Sequence, residues 1–381
     1  MPLSPKRKFF LFKQSKHFCA VPWNYFEVMT TGAIKTCSKG MPVGNITEDD
    51  LDSVLHSPKL MEIKTAMLED RLHPNCVDCS NLTTGSEHFD LRNHYNPMFQ
   101  EYNIDYDDLD AFDLHGVDLH WDNTCNFKCV YCGPMHSSLI AQEQQIQFPK
   151  MKPKFVDQLI ERIVKNQYQM KEIYLSGGEP LLIKHNARLL SSIDNKDLPL
   201  RINSNLSLVQ NGHAVFEEIK KFKNVLWTIS AECMADKFNY TRAGGDWIEF
   251  LKNLETIKTL GHGLRINSVY FIGNVVDMFD TIEYFVRTHG ITDITINQLG
   301  NHSYLQCRNA SEELKTQARQ RLQDFLDSGI IESKTNAYYN IARCVRELDH
   351  AQEDATGYID YFDNLDQLRN TNWRDIFPEL V

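Results

Sequence analysis

The stretch WDNTCNFKCVYCG, residues 121–133, places Cys125, Cys129 and Cys132 within eight positions. Three thiolates this close can face one centre only if the backbone loops around it. Three soft ligands suit an iron–sulfur cluster and fall one short of a closed tetrahedral zinc site. A four-iron cluster on three cysteines leaves one iron without a protein ligand, an open position where chemistry can happen. The competing reading is a zinc knuckle that borrows a distant fourth ligand.

The surroundings of this loop decide the fold. VDLHW (117–121) reads as a strand that runs directly into it. KFVDQLIERIVKN (154–166) has helical periodicity, with Phe155, Val156, Leu159, Ile160, Ile163 and Val164 on one stripe. EIYLS (172–176), LRINS (200–204), VLWTIS (225–230), LRINSVYF (264–271) and DITINQ (293–298) follow as strands. They alternate with amphipathic stretches such as HAVFEEIKKF, WIEFLKNLETIKTL and MFDTIEYFVRTHG. With VDLHW this makes six β/α units, the pattern of an α/β fold with a parallel sheet and covering helices. Functional groups then belong at the carboxyl ends of the strands. GGEP (177–180) stands at the second such end, where two glycines let the backbone approach a ligand and Glu179 adds an acceptor. Alone, that sequence is also a common turn.

A second cysteine group precedes the loop: Cys19, Cys37, and Cys76 with Cys79 in CVDC. FEVMT-TG-AIKTC reads as a hairpin with Thr31 and Gly32 at its turn, LDSVLHSPKLMEIKTAMLED is helical in pattern, and Pro74 opens the CVDC turn. Hairpin, helix and turn bring four thiols within reach of one site, for which zinc and an iron–sulfur cluster are both chemically suitable. Cys233, Cys307 and Cys344 are isolated and read as core thiols.

Composition bounds the function. The 381 residues are 42% hydrophobic and 24% charged, a globular balance with room for two or three domains. Forty basic and fifty-one acidic residues give −11, so there is no global basic field to hold a nucleic acid. The apolar run Phe9–Phe12 is shorter than the roughly 7–15 residues of a secretory core. No run of about 18 apolar residues occurs to span a bilayer. A cytoplasmic location without membrane is expected, and there clustered cysteines are metal ligands or catalytic groups rather than bridges. Asn93 to Phe127 holds no Lys or Arg and is rich in aspartate, as a solvated linker or an acidic lip for a basic substrate segment would be. The acidic, aromatic segment HAQEDATGYIDYFDNLDQLRNTNW reads as a packed cap.

CxxxCxxC with Tyr131 before its last cysteine, one β/α unit ahead of GGEP, resembles the signature of radical S-adenosylmethionine (radical SAM) enzymes. The resemblance implies a partial (β/α)6 TIM-like barrel in which Cys125, Cys129 and Cys132 hold a [4Fe–4S] cluster. The amino and carboxylate groups of SAM chelate the open iron, and an electron from the cluster cleaves SAM to a 5′-deoxyadenosyl radical that abstracts hydrogen. It also implies SAM contacts: Tyr131 near the adenine, Gly177, Gly178 and Glu179 at the amino group, and the strand ends Asn203, Ser204, Asn205, Ser230 and Glu232. Many relatives have Ser-x-Asp at the last of these, where this chain has Ser-Ala-Glu. Arg242, in YTRAGGDW, stands where peptide-modifying relatives place an arginine on the SAM carboxylate, a partner its planar fork fits.

The pattern C-x-x-PW, a glycine turn, a lone cysteine, then R-x-x-P-x-C-x-x-C resembles the auxiliary-cluster domains called SPASM and twitch, here N-terminal to the barrel rather than after it. It implies an auxiliary [4Fe–4S] cluster on Cys19, Cys37, Cys76 and Cys79, serving electron transfer or scaffolding, with zinc as the alternative. The expected organisation is a small α+β cluster domain with linker at 1–110, a barrel at 111–310 and a helical cap at 311–381. The expected function is that of a radical SAM oxidoreductase or modifying enzyme acting on a peptide or protein, with an electron donor such as flavodoxin or ferredoxin. Dehydrogenation of a small molecule is the runner-up, and a non-catalytic zinc-binding protein is the alternative of another class. Asp118, His120, Asp122 and His136 lie near the loop as acid–base candidates with no role assigned.

Overall fold

The computed structural model describes residues 3–77, 79, 91–102, 104–148, 150–300 and 302–381. Its strands are β1 (Tyr25–Val28), β2 (Ala33–Lys35), β3 (Gly44–Asn45), β4 (Gly116–Leu119), β5 (Lys128–Cys129), β6 (Glu172–Leu175), β7 (Leu200–Ser204), β8 (Val225–Ser230), β9 (Arg242–Ala243), β10 (Gly263–Tyr270) and β11 (Ile294–Gln298). The chain divides into two compact units. The first comprises Met1–Cys125, Pro134–Ile202 and Asn211–Val225, and the second Asn126–Gly133, Asn203–Gln210 and Leu226–Val381.

In the first unit β4, β6 and β7 run parallel, with Asp118 opposite Tyr174 and Tyr174 opposite Arg201. The N-terminal hairpin β1–β2 joins this sheet, because β1 pairs parallel to β4 with Glu27 opposite Asp118. β1 and β4 are buried on both faces, which explains their nearly continuous apolar sequence. The helix Pro153–Asn166 packs Phe155, Val156, Leu159, Ile160 and Ile163 inward, as the 3.6-residue spacing requires. In the second unit β8, β10 and β11 are parallel neighbours, joined by the helices Trp247–Lys258 and Met278–His289. The succession of β4, β6, β7, β8, β10 and β11 with intervening helices makes the fold α/β, a partial (β/α)6 TIM-like barrel preceded by a small cysteine-rich segment.

The acidic run between the cysteine groups is packed rather than a free linker. Asp107, Asp108 and Asp110 are exposed, but Tyr106 and the carbonyls of Leu109 and Ala111 face inward. Tyr106 is fully buried against Phe12, Phe18 and Trp23, with ring centroids 5.4–5.7 Å apart. Buried Lys64 donates from Nζ to the carbonyls of Leu109 and Ala111 at 2.8 and 2.9 Å. Its burial, against the opposing pull of Asp108 and Asp110, lowers its pKa to about 8. Cys233, Cys307 and Cys344 are buried, in keeping with their reading as core thiols.

Because β1 lies within the barrel sheet, the hairpin and first barrel strands form one packing unit. Phe26, opposite Val117, has no exposed surface. Phe26→Ala is expected to destabilise that unit by about 3–5 kcal/mol, read by urea denaturation as a lower midpoint.

Candidate functional site

The loop begins with an Asx turn: Asp122 Oδ1 accepts from the Thr124 amide at 2.7 Å and hydroxyl at 2.6 Å. Its two ends are closed by Asn123, whose side chain donates to the Pro134 carbonyl at 2.9 Å and whose own carbonyl accepts from Ser138 N at 2.7 Å. Cys125 N donates to Ser138 Oγ at 3.2 Å.

GGEP lies against this same backbone. Gly178 N donates to the Asp122 carbonyl at 3.2 Å and Glu179 N to that of Thr124 at 2.8 Å. Gly177 has φ +100°, and a Cβ on Gly178 would collide with the Thr124 carbonyl oxygen, so neither position accepts a side chain. Glu179 is 1% exposed and accepts from Leu181 N at 3.1 Å. Trp121 and Pro180 are tied through one buried amide, since Trp121 Nε1 donates to Asn186 Oδ1 at 2.9 Å and Asn186 Nδ2 to the Pro180 carbonyl at 2.8 Å. The first unit therefore brings Gly177, Gly178 and Glu179 onto the stem of the cysteine loop.

The rest of the loop belongs to the second unit. β5 pairs antiparallel with β9, placing Cys129 opposite Arg242. Arg242 is buried, with Nη1 3.7 Å from Cys129 Sγ and its guanidinium 6.0 Å from the centre of the Tyr131 ring. It forks onto Glu232, Nε to Oε2 at 2.7 Å and Nη2 to Oε1 at 2.5 Å. Burial opposes the Arg242 cation, but Glu232 more than offsets it and raises the pKa. Burial raises the Cys129 thiol, against the pull of Arg242, and pushes Cys132 up to about 12. Two residues expected to meet SAM separately, Glu232 and Arg242, thus hold each other.

The strand ends are joined by amides and hydroxyls. Ser230 Oγ donates to Asn203 Oδ1 at 3.4 Å, Asn267 Nδ2 reaches the same oxygen at 3.5 Å, and Asn297 Nδ2 donates to Asn267 Oδ1 at 2.7 Å. Ser204 Oγ caps the turn by accepting from Leu206 N at 3.0 Å, and Asn205 Nδ2 donates to Asn126 Oδ1 at 3.1 Å. From the helix Gly357–Arg369, Tyr361 donates to the Val130 carbonyl at 2.6 Å and Arg369 to that of Lys128 at 3.0 Å. Sequence reasoning missed Asn126, Asn267, Asn297, Tyr361 and Arg369. The polar positions of LRINSVYF and DITINQ were the available signal for Asn267 and Asn297.

The N-terminal cysteines also converge. Cys19, Cys37, Cys76 and Cys79 line one cavity of about 620 Å³, counting its open mouth, together with Lys16 and Arg92. Burial raises the thiols of Cys19 and Cys37 and lifts Cys76 to about 11. Among the described residues, no three of these sulfurs lie within 4.8 Å of one another. Four thiols around one cavity are a donor set that zinc and an iron–sulfur cluster can both use.

Among the acid–base candidates, Asp118 and His120 stand beside Glu27, while Asp122 is used in the loop turn. Burial lifts the Glu27 carboxyl above its usual range, and Asp118 adds to the effect. His136 stacks edge-on to His120 at 5.8 Å, and its own burial lowers its pKa to about 4.

Residues 122–285 match the model of the radical SAM superfamily, and residues 19–80 that of an iron–sulfur cluster-binding domain, SPASM. The chain carries a radical SAM domain preceded by a SPASM domain, and its cofactors are a [4Fe–4S] cluster, S-adenosylmethionine and auxiliary iron–sulfur. It is 27% identical over 203 residues to the radical SAM cyclopropyl synthase TigE of Paramaledivibacter caminithermalis, covering 48% of this chain and 41% of TigE. It is 25% identical over 191 residues to a GTP 3′,8-cyclase of Clostridium botulinum, covering 47% of this chain and 56% of the cyclase. The chain thus spans about half the length of these relatives. Among solved structures it is similar to Streptococcus suis SuiB bound to its precursor peptide SuiA, at 16% identity and a TM-score of 0.43, covering 62% of this chain and 50% of SuiB. No helix among the described residues is long and apolar enough to cross a membrane.

The Arg242–Glu232 pair gives a stability test. Arg242→Met leaves a buried carboxylate without its cation and should cost about 3–5 kcal/mol in denaturant titration. Arg242→Met with Glu232→Leu should recover most of that loss. Gly178→Ala should destabilise by about 1–3 kcal/mol through its clash with Thr124, read as a lower Tm.

Proposed function

We propose that this enzyme cleaves SAM reductively and abstracts hydrogen from a peptide or protein, with an auxiliary [4Fe–4S] cluster taking part in the oxidation. In this reading Cys125, Cys129 and Cys132 hold the SAM-binding cluster, and Cys19, Cys37, Cys76 and Cys79 the auxiliary one. The observation that carries it is the bonding of Gly178 and Glu179 to the carbonyls of Asp122 and Thr124, which sets the turn on the stem of the cysteine loop. Bound there, cluster and SAM supply a 5′-deoxyadenosyl radical. Residues 1–110 are then the auxiliary-cluster segment and linker, 111–310 the barrel and 311–381 the cap.

The chain's own groups divide the binding. Gly177 and Gly178 keep side chains away from the turn, and Glu179 offers an acceptor for the amino group of SAM. Arg242 leaves Nη1 outside its fork on Glu232, so it can meet the SAM carboxylate without releasing that partner. Tyr131 presents its ring for the adenine, and Asn203, Ser204, Asn205, Ser230 and Glu232 the polar contacts for the ribose side. The peptide reading rests on Arg242 within YTRAGGDW and on exposed Asp107, Asp108 and Asp110, which suit a basic segment. A flavodoxin or ferredoxin is the proposed electron donor.

Anaerobic reconstitution should give brown protein with about eight irons per chain, falling to about four in Cys76→Ala/Cys79→Ala. With SAM and a reductant it should release 5′-deoxyadenosine, and Cys132→Ala should abolish that release. A colourless zinc protein that leaves SAM intact would refute the reading.

A further inference from the structure

One cluster of ligand-type side chains lies outside both cysteine sites. Glu27 on β1 and Asp118 on β4 are opposite one another in the parallel pairing, and His120 follows β4 on the same face. Among the described residues, these three are the group whose ligand atoms all lie within 4.8 Å of one another. Glu27 is 3% exposed and Asp118 5%, so the carboxylates are withdrawn from water. Burying two carboxylates together is costly unless a cation joins them.

The distances leave room for an ion in that place. His120 Nε2 stands 3.3 Å from Asp118 Oδ2 and 3.6 Å from Glu27 Oε1. A charge-assisted hydrogen bond closes to about 2.7–2.9 Å. Ligands on a tetrahedral ion with bonds of about 2.1 Å stand roughly 3.4 Å apart. His120 Nε2 and Asp118 Oδ2 are within hydrogen-bonding distance of each other in the absence of an ion, and the spacing of the triad is also that of ligands around one. Its outer shell is also built. Ser176, at the end of β6, donates to the other oxygen of Asp118 at 2.5 Å, and Thr30 Oγ1 fixes the His120 carbonyl at 2.9 Å. Lys35 is anchored on the Ser38 carbonyl at 2.9 Å and faces Glu27 Oε2 at 3.6 Å, leaving Oε1 toward His120. Oε2 accepts no hydrogen bond. The His136 ring lies edge-on to His120 at 5.8 Å, a second imidazole beside the group.

We propose that Glu27, Asp118 and His120 form a mononuclear site for a divalent transition-metal ion. One imidazole and two carboxylates suit zinc, iron(II) or manganese(II), and none of the ligands is a thiol. The ion fastens the N-terminal hairpin to the first barrel strand, since its ligands come from β1 and from β4 with its following residue.

Mn²⁺ is the probe, because thiols compete poorly for it. Cluster-reconstituted protein is titrated with Mn²⁺ without SAM, and free Mn²⁺ is followed by EPR. One equivalent should bind, with affinity falling at least tenfold in Asp118→Asn and in His120→Gln and unchanged in Cys76→Ala/Cys79→Ala. Co²⁺ should give d–d bands without a sulfur charge-transfer band. Absence of saturable binding of either ion to the wild-type protein overturns the proposal whatever the variants do, as does binding that His120→Gln leaves intact. No step uses SAM, so failure here leaves the radical reading standing, and failure of SAM cleavage leaves this site standing.

Discussion

The parallel pairing of β1 with β4 is the constraint on which the structure turns. Strand pairs of this kind need a crossover between them, and here it runs from residue 29 to residue 115. The crossover contains the return strand, the helix Pro58–Leu68, Cys37, Cys76 and Cys79, so three of the four N-terminal cysteines sit on one long connection between adjacent strands. Cys19 lies just before β1 and Cys37 just after β2. Two of the four thiols in the N-terminal cavity are thereby placed by a hairpin held in the barrel sheet. The aromatic packing of Phe12, Phe18, Trp23 and Tyr106 fixes the start of that hairpin.

Much of this was legible in the sequence because it is written in spacing. CxxxCxxC, the GGEP turn and six apolar runs depend on contacts between near neighbours. Accordingly EIYLS, LRINS and VLWTIS fall on β6, β7 and β8 almost residue for residue. Glu27 was not legible as a site residue, since its meaning comes from a partner ninety-one positions away, and FEVMT alone shows only a charge in a strand. Arg242 and Glu232 were each read from the sequence as separate candidate contacts. Their mutual fork arises because β9 and the end of β8 deliver them to the same buried spot. The acidic run misled in part because composition records charge and not direction. Asp107, Asp108 and Asp110 face water while Asp118, Tyr106 and the carbonyls taken by Lys64 face the core.

Burial acts on both cysteine sites in the same sense. It raises the thiols of Cys19, Cys37 and Cys76 at one site and of Cys129 and Cys132 at the other. A buried thiol keeps its proton unless a cation compensates the thiolate, and only the thiolate ligates. A metal bound by these thiols would have to displace their protons. The protein supplies partial compensation at the loop, where Arg242 stands against Cys129 and is itself balanced by Glu232. That balance lets a cation remain beside the cluster loop in a dry site. An unpaired guanidinium there would have to meet the full cost of desolvation, and the fork on Glu232 meets it before any ligand binds.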